Sequence, residues 1–152
     1  MKITLIAALA ATALTSHAFA QSQPTPPVGP DFSKIEVKTI DLGKDTYMLE
    51  GAGGNVTVAV GKDAIIMVDG QFAPMHDKLK AAIEAKSKLP IKYLVNTHYH
   101  GDHTGGNEGF TKAGVTVVAH PFVGKILSEG FTNGLTGAKT PPRPAEALPK
   151  LT

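Results

Sequence analysis

The chain has no cysteine, no tryptophan and a single arginine, Arg143, among its 152 residues. Without cysteine there is no disulfide, no thiolate metal ligand and no lipid-bearing thiol. The remaining basic residues are scattered lysines, and the formal charge is only +2, so the basic stripe with interleaved aromatics that nucleic-acid binding requires is missing. Long apolar runs are missing too. The stretch from Ile3 to Leu14 falls short of the roughly 20 residues needed to span a membrane, and no later segment comes closer. Gly51-Ala52-Gly53-Gly54-Asn55 is glycine-rich, but no Gly-Lys-Ser/Thr follows and a strand pattern comes next, which argues against a phosphate-binding loop. A tight turn that leaves space beside a site is the simpler reading.

The first twenty residues combine a basic start at Lys2, a short apolar stretch and the small-residue ending Ala18-Phe19-Ala20, the pattern of a cleaved secretory signal peptide. The expected product begins at Gln21 and is periplasmic or secreted. It retains 132 residues and, having lost only Lys2, a formal charge of +1. That length accommodates one domain with a real core. Prolines cluster at Pro24–Pro30 and Pro141–Pro149, which read as linkers or irregular edges. The expected organisation is a signal peptide over 1–20, a proline-rich linker over 21–34 and a domain over 35–152.

Within the domain, Lys34–Leu42 and Asp45–Leu49 read as an antiparallel pair. Asn55–Val60 alternates, Ala64–Val68 is continuously apolar, and Gly61-Lys62-Asp63 between them supplies a turn, predicting a hairpin with a buried second strand. Met75, Leu79, Ala82 and Ile83 recur at helical spacing, predicting a helix over 74–89 ended by Pro90. A buried strand over 91–95, a short helix over 106–112, a strand over 115–119 and a helix over 121–127 complete the pattern.

The strand over 91–95 leads into Thr97-His98-Tyr99-His100-Gly101-Asp102-His103-Thr104-Gly105-Gly106-Asn107. Three of the six histidines and an aspartate fall within six positions there. In extended backbone His98 and His100 point the same way and can present imidazoles to one ion about 2.0–2.1 Å away. Gly101 lets the chain turn, and the oxygen and nitrogen of Asp102 and His103 suit a second ion. His76 and His17 carry no such context. His120, after the 115–119 strand, either approaches the site or caps a helix. Asp69 is either a turn residue or a partner that orients a metal-bound histidine.

The His98-x-His100-x-Asp102-His103 pattern, its preceding strand and Gly105-Gly106 resemble the metallo-β-lactamase fold superfamily of metal-dependent hydrolases. The resemblance extends over Gly53-Gly54-Asn55, Val68-Asp69-Gly70 and Val118-Ala119-His120. It implies an α/β fold, the N-terminal half of a four-layer αβ/βα sandwich with metals in the groove between the sheets. It also implies two zinc ions, with His98 and His100 at the first, Asp102 and His103 at the second, and Asp102 as the catalytic residue orienting a zinc-bound hydroxide. A histidine at position 103 is shared by one lactamase subclass, glyoxalase II-like thioesterases and lactonases. The implied activity is hydrolysis of a small carbonyl substrate: a β-lactam, a lactone or a thioester.

The family pattern also calls for a later histidine, a bridging aspartate and a final histidine. After His120 there is no histidine, and the acids Glu129 and Glu146 lack a ligand context. The expectation is a chain carrying the first part of an exported hydrolase, weakly active or inactive by itself, whose C-terminal half is supplied elsewhere or replaced through self-association. A non-catalytic periplasmic metal-binding module is the alternative. No membrane or nucleic-acid partner is expected.

Overall fold

The structure, a computed structural model, describes residues 29–152. The expected signal peptide and most of the proline-rich stretch lie outside the described residues. Six strands form one sheet in chain order: β1 (Lys38–Gly43), β2 (Thr46–Glu50), β3 (Val56–Val60), β4 (Ile65–Val68), β5 (Ile91–Asn96) and β6 (Thr116–Ala119). The first four pair antiparallel as a meander of three successive hairpins, and β4, β5 and β6 run parallel. Parallel neighbours need crossovers, and helices supply them. α1 (His76–Glu84) links β4 to β5, and α2 (Gly101–Thr104) with α3 (Asn107–Lys112) link β5 to β6. α4 (Pro121–Glu129) follows, then a two-residue-stranded hairpin of β7 (Phe131–Thr132) and β8 (Lys139–Thr140).

The core lies on one face of the sheet. Leu49, Val56, Val58, Ile65, Met67, Leu94 and Val117 point into it and meet Leu79 and Ile83 from α1 and Phe110 from α3. Each such fully buried side chain contributes about 1.5–3 kcal/mol of apolar burial. Phe32 belongs to this packing as well, with its ring 5.4 Å from that of Phe72. The Lys78 ammonium donates to the carbonyls of Phe32, Ser33 and Ile35 at 2.8, 2.9 and 2.6 Å, tying the chain before β1 to α1.

Three local expectations are corrected. Strand β4 is not buried throughout: Ile65 and Met67 are enclosed, but Ile66 is 45% exposed. Its continuous apolar run reflects two apolar faces rather than two covered ones, and Val68, Tyr93, Val95 and Val118 on that second face are half-buried. Helix α1 ends at Glu84, before Pro90, because the apolar stripe stops at Ile83 and nothing holds the following turn against the core. Gly101 starts the one-turn helix α2 and is absent from the left-handed residues, so no glycine-specific turn occurs there.

The proline-rich C-terminal stretch is irregular but packed. Ala147 is buried in a 3-10 turn over Ala145–Ala147, and Leu151 bridges in parallel to Val118, extending the β6 edge. Asn107 locks this segment to the sheet. Fully buried, it exchanges amide hydrogen bonds with Asn96 at 2.8 and 3.0 Å and donates to the Ala147 carbonyl at 3.0 Å. Replacing Asn107 with Ala leaves buried polar groups on both neighbours unpartnered, at about 1–3 kcal/mol each. Urea denaturation of Asn107→Ala should show a clearly lower midpoint; an unchanged midpoint would refute this locking role.

Candidate metal centre

The parallel pairing of β4 with β5 sets up the site. With Val68 opposite Val95, the C-terminal ends of both strands open at the same edge of the sheet, where ligands collect in layered α/β proteins. Asp69 leaves β4 there with φ of 65°, and its backbone N–H donates to the Val95 carbonyl at 2.8 Å. It is therefore a turn residue. It is also an orienting residue: the buried carboxylate accepts from the Thr97 backbone N–H at 2.8 Å and the Thr97 hydroxyl at 2.7 Å, and pairs with His103 Nδ1 at 2.8 Å.

These contacts determine tautomers. An ionised carboxylate only accepts, so His103 must donate from Nδ1, which leaves the Nε2 lone pair free. The single Thr97 hydroxyl proton is committed to Asp69. His98 Nδ1, 3.0 Å from the same hydroxyl, must then donate to it, and His98 also presents Nε2. Burial holds the His98 imidazole below its ordinary pKa range, and His103 and His100 push it the same way, against Asp69 and Asp102. The neutral form, the one that ligates metals, is favoured.

The donors are close together. The His98 ring centroid lies 4.0 Å from that of His103 and 4.7 Å from that of His100. Asp102 Oδ2 is 3.4 Å from His103 Nε2. His100 is exposed and flanked by Tyr99, with ring centroids 4.8 Å apart. Their convergence does not come from extended backbone, since His98 and Tyr99 sit in a bend after β5 and Asp102 and His103 lie on α2. Among the described residues, no group of three or more such side chains is already arranged to hold one ion.

The glycine turn forms the opposite wall. A Cβ on Gly53 would sit 2.6 Å from the Asp102 Cβ, and one on Gly54 would overlap the His103 ring. The bare backbone lets this segment pack directly against the donor loop, rather than leaving open space beside it. Beneath the loop, Gly106 approaches so near the Gly70 carbonyl that a Cβ would collide with it, and Gly106 N–H donates to Gln71 at 3.0 Å. The chemistry of the set, three imidazoles and a carboxylate with two Nε2 lone pairs free and a side-chain-free wall, fits zinc. His120 takes the other role open to it: its Nδ1 accepts from Phe122 N–H at 3.2 Å and caps α4. His76 lies outside the loop, its ring 4.6 Å from that of Phe110.

Thr97 and Gln71 have roles that sequence patterns did not assign. Gln71 is fully buried at φ of 52° and accepts from Ala52 N–H at 3.0 Å, tethering the glycine turn. For Thr97 the available signal was a hydroxyl directly before the first histidine. Nitrogen-15 NMR above the imidazole titration range should find His98 and His103 both protonated on Nδ1; an Nε2–H signal from either would refute the Asp69–Thr97 relay.

Known proteins of this architecture share the chain's fold. The subclass B3 metallo-β-lactamase of Bradyrhizobium japonicum superposes with a TM-score of 0.60 at 24% identity, covering 75% of this chain and 45% of that one. A class B3 di-zinc metallo-β-lactamase from an Alaskan soil metagenome gives 0.62 at 18% identity, over 77% and 47%. The layers described above correspond to the N-terminal half of a four-layer αβ/βα sandwich. Among curated relatives, the lactamase-like protein aptB of Emericella nidulans is 30% identical over 83 residues, 55% of this chain and 26% of that protein. The atrochrysone carboxyl ACP thioesterase of Aspergillus chevalieri is 30% identical over 89 residues, 57% and 28%. The chain thus spans about a quarter of the length of these relatives. The family model of the metallo-β-lactamase superfamily matches residues 49–134, from β2 through the donor loop to the end of α4 and β7, and the chain belongs to that superfamily.

Proposed function

We propose that this chain carries the first part of the active centre of a zinc-dependent hydrolase acting on a β-lactam, lactone or thioester. The observation that supports it most is the Asp69 carboxylate, which holds His103 directly and His98 through Thr97, with the two rings 4.0 Å apart. His98 and His100 would hold one zinc ion, Asp102 and His103 the other. Bound zinc lowers the pKa of a coordinated water toward about 7 and polarises the attacked carbonyl. The chain's own residues do the rest. Asp102, whose Oδ2 lies 3.4 Å from His103 Nε2, would orient the nucleophile through a carboxylate oxygen.

Two donors for each ion fall short of the three protein ligands usual at catalytic zinc, so remaining ligands must come from other residues. In the complete protein, a second layer pair would bring them and cover the sheet face that exposes Ile66. The thioesterase among the relatives supports an acyl substrate, and the pattern of residues 1–20 supports export to the periplasm or beyond the cell.

Zinc content and turnover of the full-length protein test the reading together. His98→Ala or His100→Ala should empty the first site, lowering bound zinc and reducing kcat by several orders of magnitude, whereas full metal and full activity would refute the assignment. Tight zinc binding with no hydrolysis of any of the three substrate classes would favour metal capture instead. Gly54→Ala should displace the His103 ring and lower zinc occupancy at the second site while leaving the far-ultraviolet circular dichroism unchanged; undiminished occupancy would rule out the close-wall role of Gly54.

A further inference from the structure

We infer that Asn133 is a self-modifying site: the turn between β7 and β8 converts the Asn133 amide to a carboxylate, with solvent water as co-reactant and ammonia as product. In the first step the Gly134 backbone nitrogen attacks Asn133 Cγ and gives its proton to solvent, and the side-chain nitrogen takes up a proton and leaves as ammonia, closing a cyclic succinimide. Water then opens the ring. Breaking the bond between Cγ and the Gly134 nitrogen leaves aspartate on the original backbone. Breaking the bond from the Asn133 carbonyl carbon to that nitrogen leaves isoaspartate, with the main chain running through Cβ and Cγ. The chemistry is independent of the hydrolase reading.

The chain has four asparagines, at 55, 96, 107 and 133, and only Asn133 is followed by glycine. Asn133 and Gly134 are both exposed, and a Cβ built on Gly134 would meet nothing within 4 Å, so the attacking nitrogen stands in open space. The other three are protected. Asn96 and Asn107 are buried and exchange amide hydrogen bonds at 2.8 and 3.0 Å. Asn55 is exposed, but the next residue is the buried, branched Val56, held opposite Leu49 in the β2–β3 ladder.

Hydrogen bonding prepares both reacting groups. Asn133 Oδ1 accepts from the backbone N–H of Leu135 at 2.9 Å and of Thr136 at 3.1 Å. That oxygen takes on negative charge when nitrogen adds to Cγ, so the two donors stabilise the tetrahedral intermediate as an oxyanion hole does. The nucleophile is unengaged, because the Gly134 N–H makes no hydrogen bond among the described residues. The two products differ in their effect on the hairpin. Aspartate retains both contacts to its side-chain oxygen, now charge-assisted. Isoaspartate lengthens the main chain by one atom, between an Asn133 N–H that donates to Ala138 at 2.8 Å and an Asn133 carbonyl that accepts from Gly137 at 2.8 Å, and turns that carbonyl into a carboxylate off the main chain. The strand it disturbs carries Phe131, whose ring lies 5.2 Å from that of Tyr99.

The test is peptide mapping by mass spectrometry of the full-length protein after incubation in mildly alkaline oxygen-18 water. Labelled aspartate and isoaspartate should accumulate at position 133 while Asn55, Asn96 and Asn107 stay intact. Unfolding in guanidinium chloride removes both donors to Oδ1 and should slow the conversion about tenfold. Gly134→Ala, for which the turn has space, should slow it in the folded protein, and Asn133→Gln, whose longer side chain would have to close a larger ring, should suppress it. Three results would overturn the site: no label at position 133, label spread evenly over all four asparagines, or conversion at least as fast in the unfolded chain, which would mean that the Leu135 and Thr136 N–H groups hold the amide away from attack.

Discussion

The arrangement of the site depends on one buried carboxylate. The Asp69 carboxylate stands just after β4 and touches three groups: the backbone N–H of Thr97, the hydroxyl of Thr97 and the imidazole of His103. Because an ionised carboxylate can only accept, each contact fixes a proton on its partner. Two histidines from different local structures, a bend and a one-turn helix, are thereby set in the same tautomer. Ring orientation is thereby fixed by hydrogen bonds within the chain itself.

Holding that carboxylate in place has a conformational cost. Asp69 and Gln71 both occupy the left-handed region, at φ of 65° and 52°, where residues other than glycine are uncommon and strain is about 1–3 kcal/mol each. The surrounding hydrogen bonds offset it. Gly70 N–H donates to the His103 carbonyl at 2.7 Å, Gly106 N–H to Gln71 at 3.0 Å, and the Gln71 side chain holds Ala52. The segment Asp69–Gln71 thus joins the glycine turn, the donor loop and the start of α3 into one unit. A parallel β4–β5 pair makes this joining geometrically available, since only parallel neighbours deliver both loops to the same edge.

The same edge separates two kinds of chemistry. On the Asp69 side, polar groups are paired and proton positions are fixed. On the α4 side, Tyr99 packs against His100, with centroids 4.8 Å apart, and also against Phe131 and Phe122 at 5.2 and 6.3 Å, and the surface becomes aromatic. His98 and His100 bracket Tyr99 along the chain, so the polar and aromatic sides share one stretch of backbone.

Much of this was legible in the chain itself. The hairpin around Gly61–Asp63 and the strand before the histidines follow from periodicity, which is a local property. So was the glycine turn, since five residues with so little side chain have few other uses. Other features depended on packing. The end of α1 was set by where the core stops, and the exposure of Ile66 by which sheet face is covered. Periodicity records that a face is apolar, not whether anything lies on it. The helical start at Gly101, the double role of Asp69 and the approach of Arg143 to Gly101, 42 positions earlier, required the tertiary structure. Sequence determined which donors this protein owns; the fold decided which atoms of those donors face one another, because hydrogen-bond direction and ring orientation are set by neighbours distant along the chain.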